Sequence, residues 1–129
     1  MFKKLVENAK TLAVVHKGAR YFHVTFILLK NKVLAVGINQ PHKTHPRNLR
    51  YDYENPSLKG THSELSAIIR CGDDDCSRYT FVNIKIDRNG KVALSKPCMG
   101  CRELLLQVGF RKVYYSNNDG TFTEWKTSL

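Results

Sequence analysis

Thr61-His62-Ser63-Glu64 and, 33 residues beyond that glutamate, Pro97-Cys98-Met99-Gly100-Cys101 decide how this chain of 129 residues is read. Each stretch opens a helix. After the first, Leu65, Ile68 and Ile69 recur at helical spacing until Gly72 supplies a stop, which predicts a helix over Thr61–Cys71 with those three side chains facing inward. After the second, Leu104, Leu105 and Val108 form a buried stripe that Gly109 ends, which predicts a helix over Cys98–Val108. Pro97 stands where a helix begins, because its missing amide hydrogen is one that a first turn leaves unused.

Strands surround these helices. Tyr21–Leu29 is rich in β-branched and aromatic residues, and Val33–Asn39 resumes the pattern after Lys30-Asn31-Lys32, so the pair reads as a hairpin. Tyr79–Ile86, the turn Arg88-Asn89-Gly90 and a short return over Lys91–Leu94 follow the first functional helix. Val113–Ser116 and Thr121–Trp125, joined at Asn118-Asp119-Gly120, make a last hairpin whose tight turn forces its strands antiparallel. A further helix opens the chain, with Phe2, Leu5, Val6, Ala9, Leu12, Ala13 and His16 on one face before Gly18. The expected architecture is a single domain over residues 1–129. It is a three-layer α/β/α sandwich, with a mixed five-stranded sheet, helices on both faces and the last two strands antiparallel.

Between these elements lies Gln40–Gly60, with Pro41, Pro46 and Pro56 and almost no periodicity. A stretch that long without structure is typically functional. It carries Lys43, Arg47, Arg50 and Lys59, with Tyr51 and Tyr53 as aromatic candidates for substrate contact. Tyr114 and Tyr115 point to opposite sides of their strand, and Trp125 packs the sheet edge.

Composition bounds the rest. With 42% hydrophobic and 25% charged residues the chain is an ordinary globular sequence, neither disordered nor fibrous. Its longest apolar-leaning run, Val24–Leu29, is far short of the ~20 residues that span a bilayer, so no membrane partner is expected. Polar Glu7, Asn8 and Lys10 interrupt any apolar signal region after Met1, and a cytoplasmic location (the host's, for a viral chain) is the expectation. In that reducing setting the four cysteines are read as thiols rather than as a disulfide framework. The net charge of +10 is uneven, with eleven basic and three acidic side chains in residues 1–60. A partner bearing phosphate suits that balance.

The chemistry follows from the two opening stretches. On a helix, Cys98 and Cys101 stand on one side, and thiolates at a helix N-terminus are favoured by the local positive potential. His62 with Cys98 and Cys101 makes three ligands suited to one tetrahedral zinc ion per chain, with a position left for water. Zinc lowers the pKa of such a water to roughly 7. Glu64, two residues from the histidine, is then placed to move a proton.

H-x-E followed by P-C-x-x-C is the signature of zinc nucleobase deaminases. On those residues, and on the elements around them, the chain resembles the zinc-dependent cytidine and deoxycytidylate deaminase superfamily, and its compactness is similar to short phage-encoded members. The resemblance implies that His62, Cys98 and Cys101 bind zinc. It implies that Glu64 takes a proton from water, delivers it to ring nitrogen N3 and assists the departure of ammonia. Asn39, in Gly37-Ile38-Asn39, is similar to the asparagine these enzymes set against the sugar or base. Ser63, Pro97 and the backbone around Cys98 fall on the substrate side, as does Phe22, where some relatives carry an aromatic against the pyrimidine. Lys96 departs from the small or acidic residue several relatives have there, and its ammonium would meet a phosphate. Relatives often complete the pocket with a neighbouring subunit, which implies a homo-oligomer.

Other readings compete. Thr61-His62-Ser63-Glu64 is also a capping box, in which Glu64 holds the helix start, a role compatible with catalysis. A closed structural zinc would need a fourth ligand from Cys71, Cys76, His42 or His45. Cys71 lies roughly 13 Å along the helix from His62 and Cys76 just before a strand, and both read as inert thiols. His16 and His23 read as structural. A redox role for Cys98-Met99-Gly100-Cys101 leaves His62 and Glu64 unused. The expected function is hydrolytic conversion of cytosine to uracil in a free pyrimidine nucleoside or nucleotide: cytidine, deoxycytidine or deoxycytidylate. Deamination of cytosine, less readily adenine, within single-stranded DNA or RNA is the alternative, and a non-catalytic zinc-stabilised binding module the second.

Overall fold

The computed structural model describes residues 2–15, 21–39, 63–72, 75–96, 99–110 and 112–126. Their elements are α1 (Phe2–Val15), β1 (Tyr21–Leu29), β2 (Lys32–Ile38), α2 (Ser63–Cys71), β3 (Thr80–Asp87), β4 (Val92–Ala93), α3 (Met99–Val108), β5 (Lys112–Ser116) and β6 (Phe122–Lys126). The sheet runs β2-β1-β3-β5-β6, with β4 paired to β3. Among the described strands only the β3–β5 pair is parallel, and α3 lies in the crossover between them. The sheet has six strands rather than five among the described residues. The return after Gly90 adds two residues, Val92 and Ala93, beside Ile86 and Lys85, past the point where β5 ends its pairing with β3.

Alternation sorts the strands into two faces. Phe22, Val24, Phe26 and Leu28 of β1 join Val82, Ile84 and Ile86 of β3 under Leu5 and Ala9 of α1. Ile27, Phe81 and Val113 face the other way and pack with Leu65, Ala67 and Ile68 of α2 and Leu104, Leu105 and Val108 of α3. The central strands read almost continuously apolar because both of their faces are covered. Each fully buried Leu, Ile or Phe contributes on the order of 1.5–3 kcal/mol by leaving water. Ile69 differs from expectation: it is 42% exposed, because the stripe of α2 that meets the sheet runs through Leu65 and Ile68.

Local chemistry fixes the turns. Lys30 and Asn31 take φ of 49° and 67°, the left-handed conformation a two-residue hairpin loop requires. The final hairpin is antiparallel from Lys112 opposite Lys126 to Ser116 opposite Phe122. Among its residues Tyr114 packs toward α1, its ring edge-on to Phe2 at 5.2 Å, while Trp125 packs against the α2/α3 side. Among the described residues no helix is long and apolar enough to cross a membrane.

Candidate active site

The candidate site grows from one row of residues across the middle of the sheet. Gly37 of β2, Thr25 of β1 and Asn83 of β3 are successive neighbours in register. The first turn of α2 descends on this row. At Gly37 the helix backbone comes so close that an added Cβ would overlap the amide nitrogen of Ala67 and the carbonyl oxygen of Ser63. Lacking a side chain, Gly37 lets α2 lie directly on β2.

Glu64 is the acidic residue of that first turn and is buried, as is Ser63. A carboxylate at this end of a helix is stabilised by the unpaired amide groups there. The Ser63 hydroxyl lies 3.0 Å from Glu64 Oε1, to which it donates. It also lies 2.9 Å from Thr25 Oγ1 and 3.4 Å from Asn83 Oδ1, and Thr25 Oγ1 is 2.8 Å from the same Asn83 oxygen. Thr25, Ser63 and Asn83 are at most 1% exposed. Leaving any of them without a partner would cost about 1–3 kcal/mol, so these bonds hold the group together as a unit.

The same asparagine reaches the segment that precedes the second functional helix in the chain. Asn83 Nδ2 donates to the Ser95 carbonyl at 2.7 Å, and the Ser95 hydroxyl returns a bond to the Asn83 carbonyl at 2.7 Å. Ser95 is clamped on its other side by Ser116, whose carbonyl accepts from the Ser95 amide at 2.9 Å and whose amide donates to Ser95 Oγ at 2.8 Å. Thus the residue after His62 and the residue three before Cys98 converge on one carboxamide. That convergence suits a donor set of one imidazole and two thiolates drawn from the starts of two helices. His62, Pro97 and Cys98 lie outside the described residues, as does the side chain of Cys101, whose backbone stands in the first turns of α3. Among the described residues no three His, Cys, Asp or Glu groups could share a metal ion.

The remaining expected site residues are distributed as follows. Asn39 is half-buried one residue past β2. Its Oδ1 accepts from the His23 amide at 3.2 Å, and its own amide donates to the His23 carbonyl at 3.3 Å. Lys96 is exposed and directly follows the clamped Ser95. Phe22 is not brought to this group. It lies in the α1 cluster, 5% exposed, with the sheet between it and Glu64. The basic loop with His42, His45, Tyr51 and Tyr53, and Thr61 of the capping box, fall outside the described residues.

Thr25, Asn83, Ser95 and Ser116 were not legible as site residues from periodicity. Their signal is a polar side chain inside an apolar run: Thr25 between Val24 and Phe26, and Asn83 between Val82 and Ile84.

A mixed sheet between helical layers, with a buried glutamate in the first turn of α2 and a serine tied between β3 and β5, is the frame of the candidate site. The chain belongs to the cytidine and deoxycytidylate deaminase superfamily: the family described as "Cytidine and deoxycytidylate deaminase zinc-binding region" matches residues 2–117. No curated protein matches. Among solved structures, the fold is similar to dCMP deaminase from the cyanophage S-TIM5 in complex with dCMP and dUMP, with TM-score 0.56 and 18% identity over 89% of this chain and 79% of that one. It is also similar to cytidine deaminase from Mycobacterium leprae (0.59, 17%, 95% and 92%) and from Burkholderia pseudomallei (0.62, 15%, 98% and 93%).

Proposed function

We propose that the protein is a zinc-dependent hydrolytic deaminase that converts cytosine to uracil in a free nucleoside or nucleotide and releases ammonia. The observation that carries this reading is the buried Glu64 carboxylate, held by Ser63 beside His62 on a network that also anchors the segment entering Pro97-Cys98. His62, Cys98 and Cys101 would hold one zinc ion, which when bound supplies Lewis acidity that brings the pKa of water close to neutrality.

The balance of the reaction is simple. Water's oxygen bonds to C4 of the base, the bond from C4 to the exocyclic nitrogen breaks, and ammonia leaves. Glu64 takes a proton from the attacking water, delivers it to N3 and then serves the departing amine. Burial of the carboxylate keeps bulk water from competing for that proton. Asn39, one residue past β2, would hold the sugar or base, and Lys96, exposed after Ser95, would meet a 5′-phosphate.

Two observations bear on the substrate. The last two strands pair antiparallel, an arrangement that resembles the nucleoside-acting branch of the superfamily. The cyanophage neighbour is complexed with dCMP and dUMP, which supports a nucleotide. The net charge of +10 favours a second reading, in which the cytosine lies in single-stranded nucleic acid.

The test incubates the zinc-loaded protein with cytidine, deoxycytidine, deoxycytidylate and a cytosine-containing oligonucleotide and measures ammonia. Release from a monomeric substrate, nearly independent of salt, is expected. Release from the oligonucleotide alone, weakening steeply as salt rises, would favour the second reading. A Glu64→Ala protein that kept its zinc and fold yet deaminated at the parental rate would overturn both.

A further inference from the structure

We propose that Thr25 and Asn83 are positioning residues for Glu64: they fix the Ser63 hydroxyl against its carboxylate and tie it to Ser95, which precedes Pro97-Cys98 in the chain. The proposal rests on the reading of Glu64 as the proton carrier. Asn83 has a fixed orientation, because its Nδ2 must face the Ser95 carbonyl at 2.7 Å, which turns its Oδ1 toward Thr25 and Ser63. Two hydroxyl hydrogens, one from Thr25 and one from Ser63, therefore serve a cluster of acceptors that includes Asn83 Oδ1 and Glu64 Oε1. With Thr25 engaging Asn83 Oδ1 at 2.8 Å and lying 2.9 Å from the Ser63 oxygen, the Asn83 oxygen, 3.4 Å from Ser63, draws the Ser63 hydrogen less than Glu64 Oε1 does at 3.0 Å, and that hydrogen is directed to Glu64. Removing the Thr25 hydroxyl leaves Asn83 Oδ1 to compete with Glu64 for the hydrogen of Ser63. Removing the Asn83 carboxamide also takes away the donor to the Ser95 carbonyl, leaving the Ser95 hydroxyl on the Asn83 main-chain carbonyl as its tie to β3, and so loosens the segment leading to α3.

Thr25→Val matches threonine in shape and deletes the hydroxyl; Thr25→Ser keeps it. In the zinc-loaded protein, Thr25→Val should lower kcat by about 10- to 100-fold with KM within about twofold of parental, the pattern of a misplaced catalytic group. Thr25→Ser should restore kcat. The carboxyl carbon NMR resonance of Glu64 should move in Thr25→Val and return in Thr25→Ser, while zinc content stays equal in all three proteins. Asn83→Ala should lower kcat likewise and also release zinc at lower chelator concentration. Parental kcat in Thr25→Val, or a Glu64 resonance that does not move, would overturn the proposal, as would a loss that serine fails to rescue. A parental protein that releases ammonia from none of the substrates would instead defeat the deaminase reading. In that event the Glu64 resonance still decides whether Thr25 positions the carboxylate, and if Asn83→Ala does not fold, the two Thr25 variants carry the test.

Discussion

Gly37 lies so close beneath α2 that a methyl group on its Cα would overlap the backbone nitrogen of Ala67 and stand 2.8 Å from the Ala67 Cα. Backbone, unlike a flexible side chain, cannot swing aside, so Gly37→Ala must lift the start of α2 off the sheet. Overpacking of this kind costs about 1–3 kcal/mol. The shift also carries Ser63 away from Thr25 and Asn83. Urea denaturation is expected to show a loss of that size, accompanied by a fall in ammonia release larger than the fraction unfolded explains. Parental stability in Gly37→Ala would mean that α2 and β2 are not in contact at this point.

Much of the architecture could be read from residue order, for identifiable reasons. β1 spans Tyr21–Leu29 as its β-branched and aromatic run indicates, and α3 buries Leu104, Leu105 and Val108 as their spacing requires. Period alone does not say which partner an element meets, and this is where Ile69 and Phe22 depart from expectation. Ile69 shares the helical spacing of Ile68 but lies past the edge of contact with the sheet. Phe22 matches a family position, yet the pleat of β1 alternates it away from Thr25 and onto the α1 side. The polar row that organises the candidate site is a long-range pattern, since Thr25 and Asn83, 58 positions apart in the chain, meet only once the segment between them has folded. No local window contains both.

The place of Phe22 makes it a core residue of the α1 face. Phe22→Leu removes part of a ring packed among Leu5, Ala9 and the side chains of β3, and should destabilise the protein by about 1–2 kcal/mol. With the sheet between this residue and Glu64, KM for the monomeric substrate should remain parental at temperatures where the variant is folded. Thermal unfolding alongside steady-state kinetics separates the two effects. A rise in KM without loss of stability would return Phe22 to the substrate.

The tip of the last hairpin carries a pH-dependent term. Hydrogen bonds from the Thr121 hydroxyl and amide hold the Asp119 carboxyl below its usual value of 3.8. A carboxyl with a depressed folded pKa contributes stability that is fully present above 3.8 and is lost as pH falls through the lowered value. Asp119 is exposed, so the contribution is small. Asp119→Ala should therefore be slightly less stable than parent at neutral pH, with the gap closing in acid. A gap that widened on acidification would contradict this assignment of the Asp119 bonds.

Metal removal tests the two helix starts together. His62 directly precedes α2, Cys98 directly precedes α3 and Cys101 lies within it, so an ion held by all three would staple the two helices. At about 1,000 times its dissociation constant such a ligand adds about 4 kcal/mol to stability. A strong chelator should extract one zinc per chain, lower Tm and abolish ammonia release, and added zinc should restore all three. In a Cys98→Ser protein the chelator should leave Tm almost unchanged, because weakened binding has already removed the contribution. If instead Cys98→Ser kept parental zinc affinity, the thiolate would not be a ligand. The Ser95 clamp would then serve α3 alone, and the proposed link between the serine network and the metal would fail while the fold stood.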